Sequence, residues 1–209
     1  KLELPIPIIG DLQGPKFRIG ILKNDIDLKE GDKVNFFLNT ENTSQNYNKN
    51  GTYSIPVPSK IIFSNLIPDK TFLIDDGKLV FKILKVFDEN FEAEIINSGI
   101  LKSKKGINFP NLDFNISPLT EKDKKDLHFI KEQKLDYIAF SFVQKTSDVL
   151  ELRSLISSDM KIISKIEKPQ ALKEINNIIR ASDAVMIARG DLGVELSPQE
   201  VPTIQKQLI

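Results

Sequence analysis

Residues 161–193 read KIISKIEKPQALKEINNIIRASDAVMIARGDLG and contain two short apolar runs typical of buried strands. Lys165 and Glu167 follow the first run and are two residues apart, so on a strand they project to the same side. Asp191 follows the second run, where the chain should turn into its next helix. Because α/β folds bind ligands beyond the carboxyl ends of their strands, this stretch predicts a functional site.

The residue types at these strand ends suit a metal ion and an anionic substrate. Mg²⁺ takes one or two protein carboxylates and leaves its other positions to water and substrate oxygens, a need that Glu167 and Asp191 would meet. The ammonium of Lys165 suits a phosphoryl group or an enolate oxygen. The alternative interpretation is that all three are solvated charges in surface loops.

Composition excludes several classes of protein. The chain has 209 residues, with 29 basic and 29 acidic side chains, so its net charge of +0 gives no general attraction to nucleic acid or to an anionic membrane. The absence of cysteine excludes disulfides and thiolate metal sites. No apolar run approaches the ~20 residues of a membrane-spanning helix. No signal peptide is visible, and the abrupt start and finish lead us to expect a piece of a longer protein.

The chain contains two regions with different sequence patterns. Residues 6–10 read as a buried strand that ends at Asp11, and residues 17–109 then show short alternating runs separated by turn signals, which predict a small all-β barrel or sandwich. After residue 117, strands and helices alternate, and strands recur about every 24 residues, as in a parallel sheet with helical crossovers. Ser141 ends the strand at 137–141, so each parallel strand delivers a polar group at its carboxyl end.

These patterns together predict an α/β fold, with a (β/α) barrel or part of one that contains an inserted small all-β barrel or sandwich. Helix starts are predicted at two capping-box patterns, one at Thr120 with Asp123 and one at Ser197 with Glu200.

Five stretches resemble pyruvate kinases. They are IIGDLQGPKFRIG (8–20), LIDDGKLVFKI (73–83), KKGINFP through LTEKDKKDL (104–127), DYIAFSFVQ (136–144), and KIISKIEKPQAL with MIARGDLGVEL (161–196). The stretches occur in the family's order and extend over nearly the whole chain. The resemblance implies a phosphotransferase that moves a phosphoryl group from phosphoenolpyruvate to ADP and gives pyruvate and ATP in glycolysis.

The resemblance also implies roles for particular residues. Glu167 and Asp191 match the family's ligands for Mg²⁺ (or Mn²⁺), and Lys165 matches the lysine that stabilises charge on the phosphoryl and enolate oxygens. The amides of Gly190 and Asp191 would bind the substrate carboxylate. Ser141 matches a position beside the active site.

For the whole chain the resemblance implies a partial (β/α)8 TIM barrel with an inserted small all-β barrel lid domain. Residues 1–15 would form the first barrel segment, 16–116 the mobile lid domain, which closes over the nucleotide, and 117–209 the second, incomplete barrel segment. Arg18 and Lys105 match basic lid residues that contact phosphates, with a purely solvated surface role as the alternative. Leu12 and Lys16 stand where the K⁺-dependent class has Thr and Glu, so the pair resembles the K⁺-independent class. A fixed ammonium can replace a monovalent cation near Asp11, and we therefore expect that K⁺ is not required.

Parts of the family pattern have no counterpart in this chain, including four barrel strands and the regulatory C-terminal domain. We therefore expect the 209-residue chain alone to be inactive. For the full-length protein the resemblance implies a homo-oligomer, usually a tetramer, with a cytoplasmic or a plastid-type location. Two other functions stay open: a Mg²⁺-dependent enolate-forming lyase or aldolase that also uses phosphoenolpyruvate, and a non-catalytic remnant that binds metal or nucleotide.

Overall fold

The computed structural model describes residues 6–41, 47–49, 52–110 and 112–209. Its strands are β1 (Ile9–Leu12), β2 (Ile26–Leu28), β3 (Lys33–Leu38), β4 (Tyr47–Lys49), β5 (Thr52–Val57), β6 (Thr71–Ile74), β7 (Leu79–Val86), β8 (Asn90–Ile95), β9 (Gly99–Leu101), β10 (Ile107–Asn108), β11 (Tyr137–Phe140), β12 (Lys161–Ile166) and β13 (Ala184–Ile187). Its helices are α1 (Lys60–Phe63), α2 (Glu121–Glu132), α3 (Thr146–Leu155), α4 (Pro169–Lys173), α5 (Ile175–Ala181), α6 (Arg189–Glu195) and α7 (Val201–Leu208).

The chain divides into two compact units. The α/β unit comprises Lys1–Pro15 and Ile116–Ile209, and the β unit comprises Lys16–Asn115. These boundaries differ by one residue from the expected division at residue 116.

The α/β unit is built on a four-stranded parallel sheet with the order β1-β11-β12-β13. Helix α3 connects β11 to β12, and α4 with α5 connects β12 to β13. The predicted parallel sheet with helical crossovers is therefore confirmed, and it amounts to part of a barrel.

One face of this sheet carries the core of the α/β unit. Every second residue of β12 is buried, and the helices contribute Leu127, Ile130, Val149, Leu152 and Ile178 to the same cluster. Gly10 of β1 belongs to this face, where a Cβ atom would come within 2.5 Å of Cδ1 of Ile130. The glycine therefore lets α2 approach the sheet closely.

Helix α2 begins as its sequence predicts. The Thr120 hydroxyl accepts from the Asp123 amide at 3.1 Å, and the Asp123 carboxylate accepts from the Thr120 amide at 2.9 Å, which completes the capping box. Asp123 is fully buried, and its other oxygen accepts from the amide of Gly14 at 3.2 Å. The same carboxylate thus caps the helix and fixes the chain that leaves β1.

A second polar cluster joins the amino ends of β12 and β13. The Asp183 carboxylate accepts from the Ile162 amide at 2.9 Å and from the Arg153 guanidinium at 2.5 Å. Partial burial by itself raises the pKa of Asp183, but the Ile162 amide and the Arg153 charge outweigh it and hold that pKa below its usual value. Arg153 also donates to the carbonyl oxygen of Met160 at 3.2 Å.

Two helix predictions need correction. The helix expected after β12 is divided into α4 and α5, because the chain leaves the helical conformation at Glu174. The Glu174 carboxylate there accepts from the Thr146 amide and hydroxyl, at 2.9 and 2.7 Å. The last helix begins at Val201 and not at residue 198, because the Ser197 hydroxyl donates to Glu200 and makes no cap hydrogen bond to α7.

The β unit has a seven-stranded sheet, ordered β10-β6-β7-β8-β3-β5-β4, and a two-stranded sheet, β2-β9. Its core is rich in phenylalanine. Phe36 is fully buried, stacks on Phe91 at a centroid distance of 4.8 Å, and meets Phe72 and Phe81 edge-on at 5.3 and 5.5 Å. Such aromatic pairs add to the burial of their apolar area, so this cluster stabilises the β unit.

The predicted strand content of the β unit is correct in outline and wrong in two details. Residues 17–22, expected to form a strand, make only one isolated bridge, between Arg18 and Gly106. Among the described strands the end members β10 and β4 do not pair, and the barrel form of the β unit stays a prediction. The loop expected at residues 39–51 contains β4, while residues 42–46 and 50–51 lie outside the described part.

Across the described ranges we find no helix that is both long enough and apolar enough to span a membrane.

Candidate active site

The four parallel strands bring polar side chains to one edge of their sheet. Asp11 pairs with Ala139 in β11, and Ala139 pairs with Ile163 in β12, so these positions share one face. Ser141 lies two residues after Ala139, and Lys165 lies two residues after Ile163. Glu167 lies two residues after Lys165, so it has the same parity. The predicted clustering at the carboxyl ends is therefore what the strand register produces.

Lys165 is the centre of this cluster. Its Nζ donates to the Ser141 hydroxyl at 2.9 Å, lies 3.2 Å from Oδ1 of Asp11, and lies 3.1 Å from Oε1 of Glu167. Burial by itself lowers the pKa of Lys165, but the charges and hydrogen bonds of Glu167 and Asp11 outweigh it and hold that pKa above its usual value. The lysine is therefore a fixed positive charge at neutral pH.

Glu167 is a buried carboxylate, with only 3% of its side chain exposed. Its Oε2 accepts from the backbone amide of Phe142 at 2.9 Å. Burial raises the pKa of Glu167; Lys165 and the Phe142 amide oppose this rise without cancelling it, and the charge of Asp191 adds to it. A cation bound at Glu167 would relieve this penalty.

Asp191 lies in the first turn of α6, the helix that follows β13. It is half-buried, and its charge acts on Glu167, so both predicted metal ligands belong to one electrostatic site. Gly190, one residue earlier, has open space around it, since a Cβ atom there would meet nothing within 4 Å. The first turn of α6 therefore leaves room for a ligand beside its amides.

The donor set fits a hard divalent cation. Glu167 and Asp191 offer carboxylate oxygens, the ligands that Mg²⁺ prefers, and Lys165 lies beside Glu167 and Asp11. Within the described residues, no three His, Cys, Asp or Glu side chains converge as a complete protein metal cage. A site with two carboxylates leaves the remaining positions to water and substrate, as Mg²⁺ sites usually do.

The other predicted residues are placed apart from this cluster or outside its unit. Leu12 is fully buried in the α/β core and offers no oxygen to a cation. Lys16, Arg18 and Lys105 belong to the β unit. Arg18 donates to the carbonyl oxygen of Lys104 at 3.0 Å.

Lys105 contacts Oδ1 of Asp75 at 2.9 Å. This hydrogen bond is the main reason that the pKa of Asp75 is lowered. Phosphate contacts by Lys105 or Arg18, and replacement of K⁺ by Lys16, stay predictions.

Three contacts of the site were not predicted from the sequence. Asp11 pairs directly with Lys165, Phe142 binds Glu167 through its backbone amide, and Lys168 contacts Glu195 at 2.6 Å. The register of β1 against β11 could have indicated the first contact. Nothing in the local sequence signals the other two.

The fold and the site define the chain as an α/β protein of the barrel type, with a lysine and acidic side chains at the carboxyl edge of its parallel sheet. Over residues 1–209 the sequence matches the family model described as pyruvate kinase, barrel domain. The chain therefore belongs to the pyruvate kinase barrel-domain family.

Similar proteins come from distant organisms. The chain is 44% identical to a pyruvate kinase of Agrobacterium vitis over 208 residues, which cover 99% of this chain and 42% of the relative. It is 39% identical to a pyruvate kinase of Clostridium perfringens, over 97% of this chain and 42% of the relative. It is 38% identical to a pyruvate kinase of Thermococcus litoralis, over 100% of this chain and 43% of the relative. The chain thus spans less than half the length of these relatives.

Proposed function

We propose that the full-length protein is a pyruvate kinase, which transfers the phosphoryl group of phosphoenolpyruvate to ADP. The observation that carries this proposal is the cluster of Lys165, Asp11, Ser141 and Glu167 at the sheet edge, in a chain that belongs to this family. In the reaction the bond between phosphorus and the enol oxygen breaks, a terminal phosphate oxygen of ADP takes the phosphoryl group, and the enolate left behind is protonated to pyruvate.

Glu167 and Asp191 would hold the divalent cation, Mg²⁺ or Mn²⁺. When bound, this cation supplies positive charge for the phosphoryl and enolate oxygens. Lys165 contributes a second positive charge that remains protonated, and Asp11 and Ser141 fix the direction of its ammonium group. The amides of Gly190 and Asp191 would bind the substrate carboxylate.

The β unit would act as the lid over the nucleotide, with Arg18 and Lys105 contacting phosphates. We also propose that Lys16 makes the enzyme independent of K⁺. Equal rates in buffers with and without K⁺ are the expected result, and a large fall without K⁺ would contradict it. The tetrameric assembly and the cytoplasmic location stay predictions.

The proposal is tested by ADP-dependent formation of pyruvate from phosphoenolpyruvate by the full-length protein. Lys165→Met is expected to lower the rate about 10²- to 10³-fold, because it removes a charge that acts on the transition state. The matched control is Lys161→Met, at the opposite end of the same strand, where the lysine pairs with Asp183 and not with the site. This control should keep the wild-type rate.

Two outcomes would contradict the proposal. Release of pyruvate without ADP would indicate a lyase that uses the same enolate site. Binding of ADP without any turnover would indicate a non-catalytic relative.

A further inference from the structure

A partly buried ion pair joins the two elements that carry the proposed metal ligands. Nζ of Lys168 lies 2.6 Å from Oε1 of Glu195, and these side chains are only 21% and 6% exposed. Lys168 directly follows Glu167 in the chain. Glu195 lies four residues after Asp191 in α6, so these two acids project from the same side of the helix. The pair therefore connects the segment of one ligand to the helix of the other.

Helix α6 is a short element of the α/β unit. It has seven residues, and Leu192 is its single buried residue. The carboxylates of Glu167 and Asp191 are like charges that repel each other, and a bound cation would offset that repulsion. An attractive contact at the far end of α6 opposes this repulsion.

Phe142 contacts the same segment from the end of β11. Its amide donates to Glu167 at 2.9 Å, and its ring centroid lies 5.5 Å from Nζ of Lys168, within the range of a cation–π contact. Its φ of 59° is in the left-handed region, which is uncommon for a bulky residue and is maintained only where surrounding contacts enforce it. One such contact is the close approach of Gly14, where a Cβ atom would come within 2.6 Å of the ring.

We propose that Lys168, Glu195 and Phe142 are positioning residues that hold Glu167 and Asp191 at the spacing a divalent cation needs before that cation arrives. This inference rests on the proposed function, which makes those two carboxylates the metal ligands. Residues that orient metal ligands in this way typically change metal affinity about 10- to 100-fold when they are removed.

The experiment measures Mn²⁺ binding to the full-length protein by the loss of the electron paramagnetic resonance signal of unbound Mn²⁺, without substrate. Lys168→Met and Glu195→Gln are each expected to raise the Kd for Mn²⁺ about 10- to 100-fold. Lys168→Arg keeps the charge and should restore most of the affinity. Lys161→Met, at a lysine that begins β12 and pairs with Asp183 outside the site, should bind Mn²⁺ as the wild type does.

Unchanged Kd values in both Lys168→Met and Glu195→Gln would overturn the proposal, and so would a wild type that binds no Mn²⁺. If far-UV circular dichroism shows that Lys168→Met does not fold, Glu195→Gln decides, since it keeps the size and shape of the side chain. A different result would contradict the proposed function alone. In that result the wild type binds Mn²⁺ and the variants bind it more weakly, but the wild type makes no pyruvate. The kinase proposal would then fail, and the positioning role would not.

Discussion

The substitution Asp123→Ala is expected to destabilise the α/β unit by about 2–4 kcal/mol. The Asp123 carboxylate accepts from the amides of Gly14 and Thr120, at 3.2 and 2.9 Å, from a fully buried position in the first turn of α2. Each of these amides costs about 1–2 kcal/mol when it is left without an acceptor, so the two together give the expected total. The N-cap bond from the Asp123 amide to the Thr120 hydroxyl uses the backbone and remains in the variant.

Hydrogen exchange of the α2 amides in the full-length protein measures this loss. Since each ~1.4 kcal/mol is a factor of ten, exchange in the variant should be roughly 30- to 10³-fold faster. The matched control is Asp126→Ala, in the same helix, where the aspartate makes an exposed pair with Lys122. Such pairs contribute less than about 1 kcal/mol. Equal protection in the two variants would refute the reasoning.

Three further changes test other parts of the structure. Gly14→Ala should lower the thermal midpoint and the kcat for pyruvate formation, because a φ of 68° costs a residue with a Cβ about 1–2 kcal/mol and the new atom would displace the ring of Phe142; an unchanged midpoint would contradict this. Asp183→Asn should be less stable than the wild type at neutral pH. The lowered pKa of Asp183 stabilises the fold above the ordinary carboxyl value of about 3.9, and this stabilisation is lost as the pH falls through the folded-state pKa, so the two thermal midpoints should converge once the pH is below that folded-state pKa; a constant difference would show another cause. Phe36→Ala should cost the β unit about 3–5 kcal/mol in urea unfolding, whereas Phe87→Ala, at a side chain that is 48% exposed, should cost less than about 1 kcal/mol.

The strands and helices of the α/β unit, and the position of the site at the carboxyl ends of its strands, could be predicted from local patterns in the sequence. Successive residues of a strand project to opposite faces, and this two-residue period places Lys165 and Glu167 on one side, opposite to Ile162 and Ile166. The capping box at Thr120 is a short-range interaction that needs no knowledge of the fold, and the structure shows it complete.

The contacts that complete the site depend on tertiary structure and could not be predicted. A positive φ is uncommon for phenylalanine, and no local propensity predicts it at Phe142. The hydrogen bond from the Phe142 amide to Glu167 therefore could not be predicted from the sequence. The pair of Lys168 with Glu195 joins residues 27 positions apart, and either would pass for a solvated surface charge. In the β unit, residues 17–22 have the alternation of a strand, but only Arg18 finds a bridge partner.

The hydrogen bond between Gly14 and Asp123 has a consequence for how such a protein can change over evolution. It brings the polypeptide before the β unit and the polypeptide after it to adjacent positions, although about 100 residues separate them. A segment whose two ends leave the host fold side by side can be shortened, replaced or lost while the parallel sheet keeps its register, because the loop-closure cost depends only weakly on length. Residues 16–115 could therefore be replaced by another domain without changes to the strands and helices of the α/β unit.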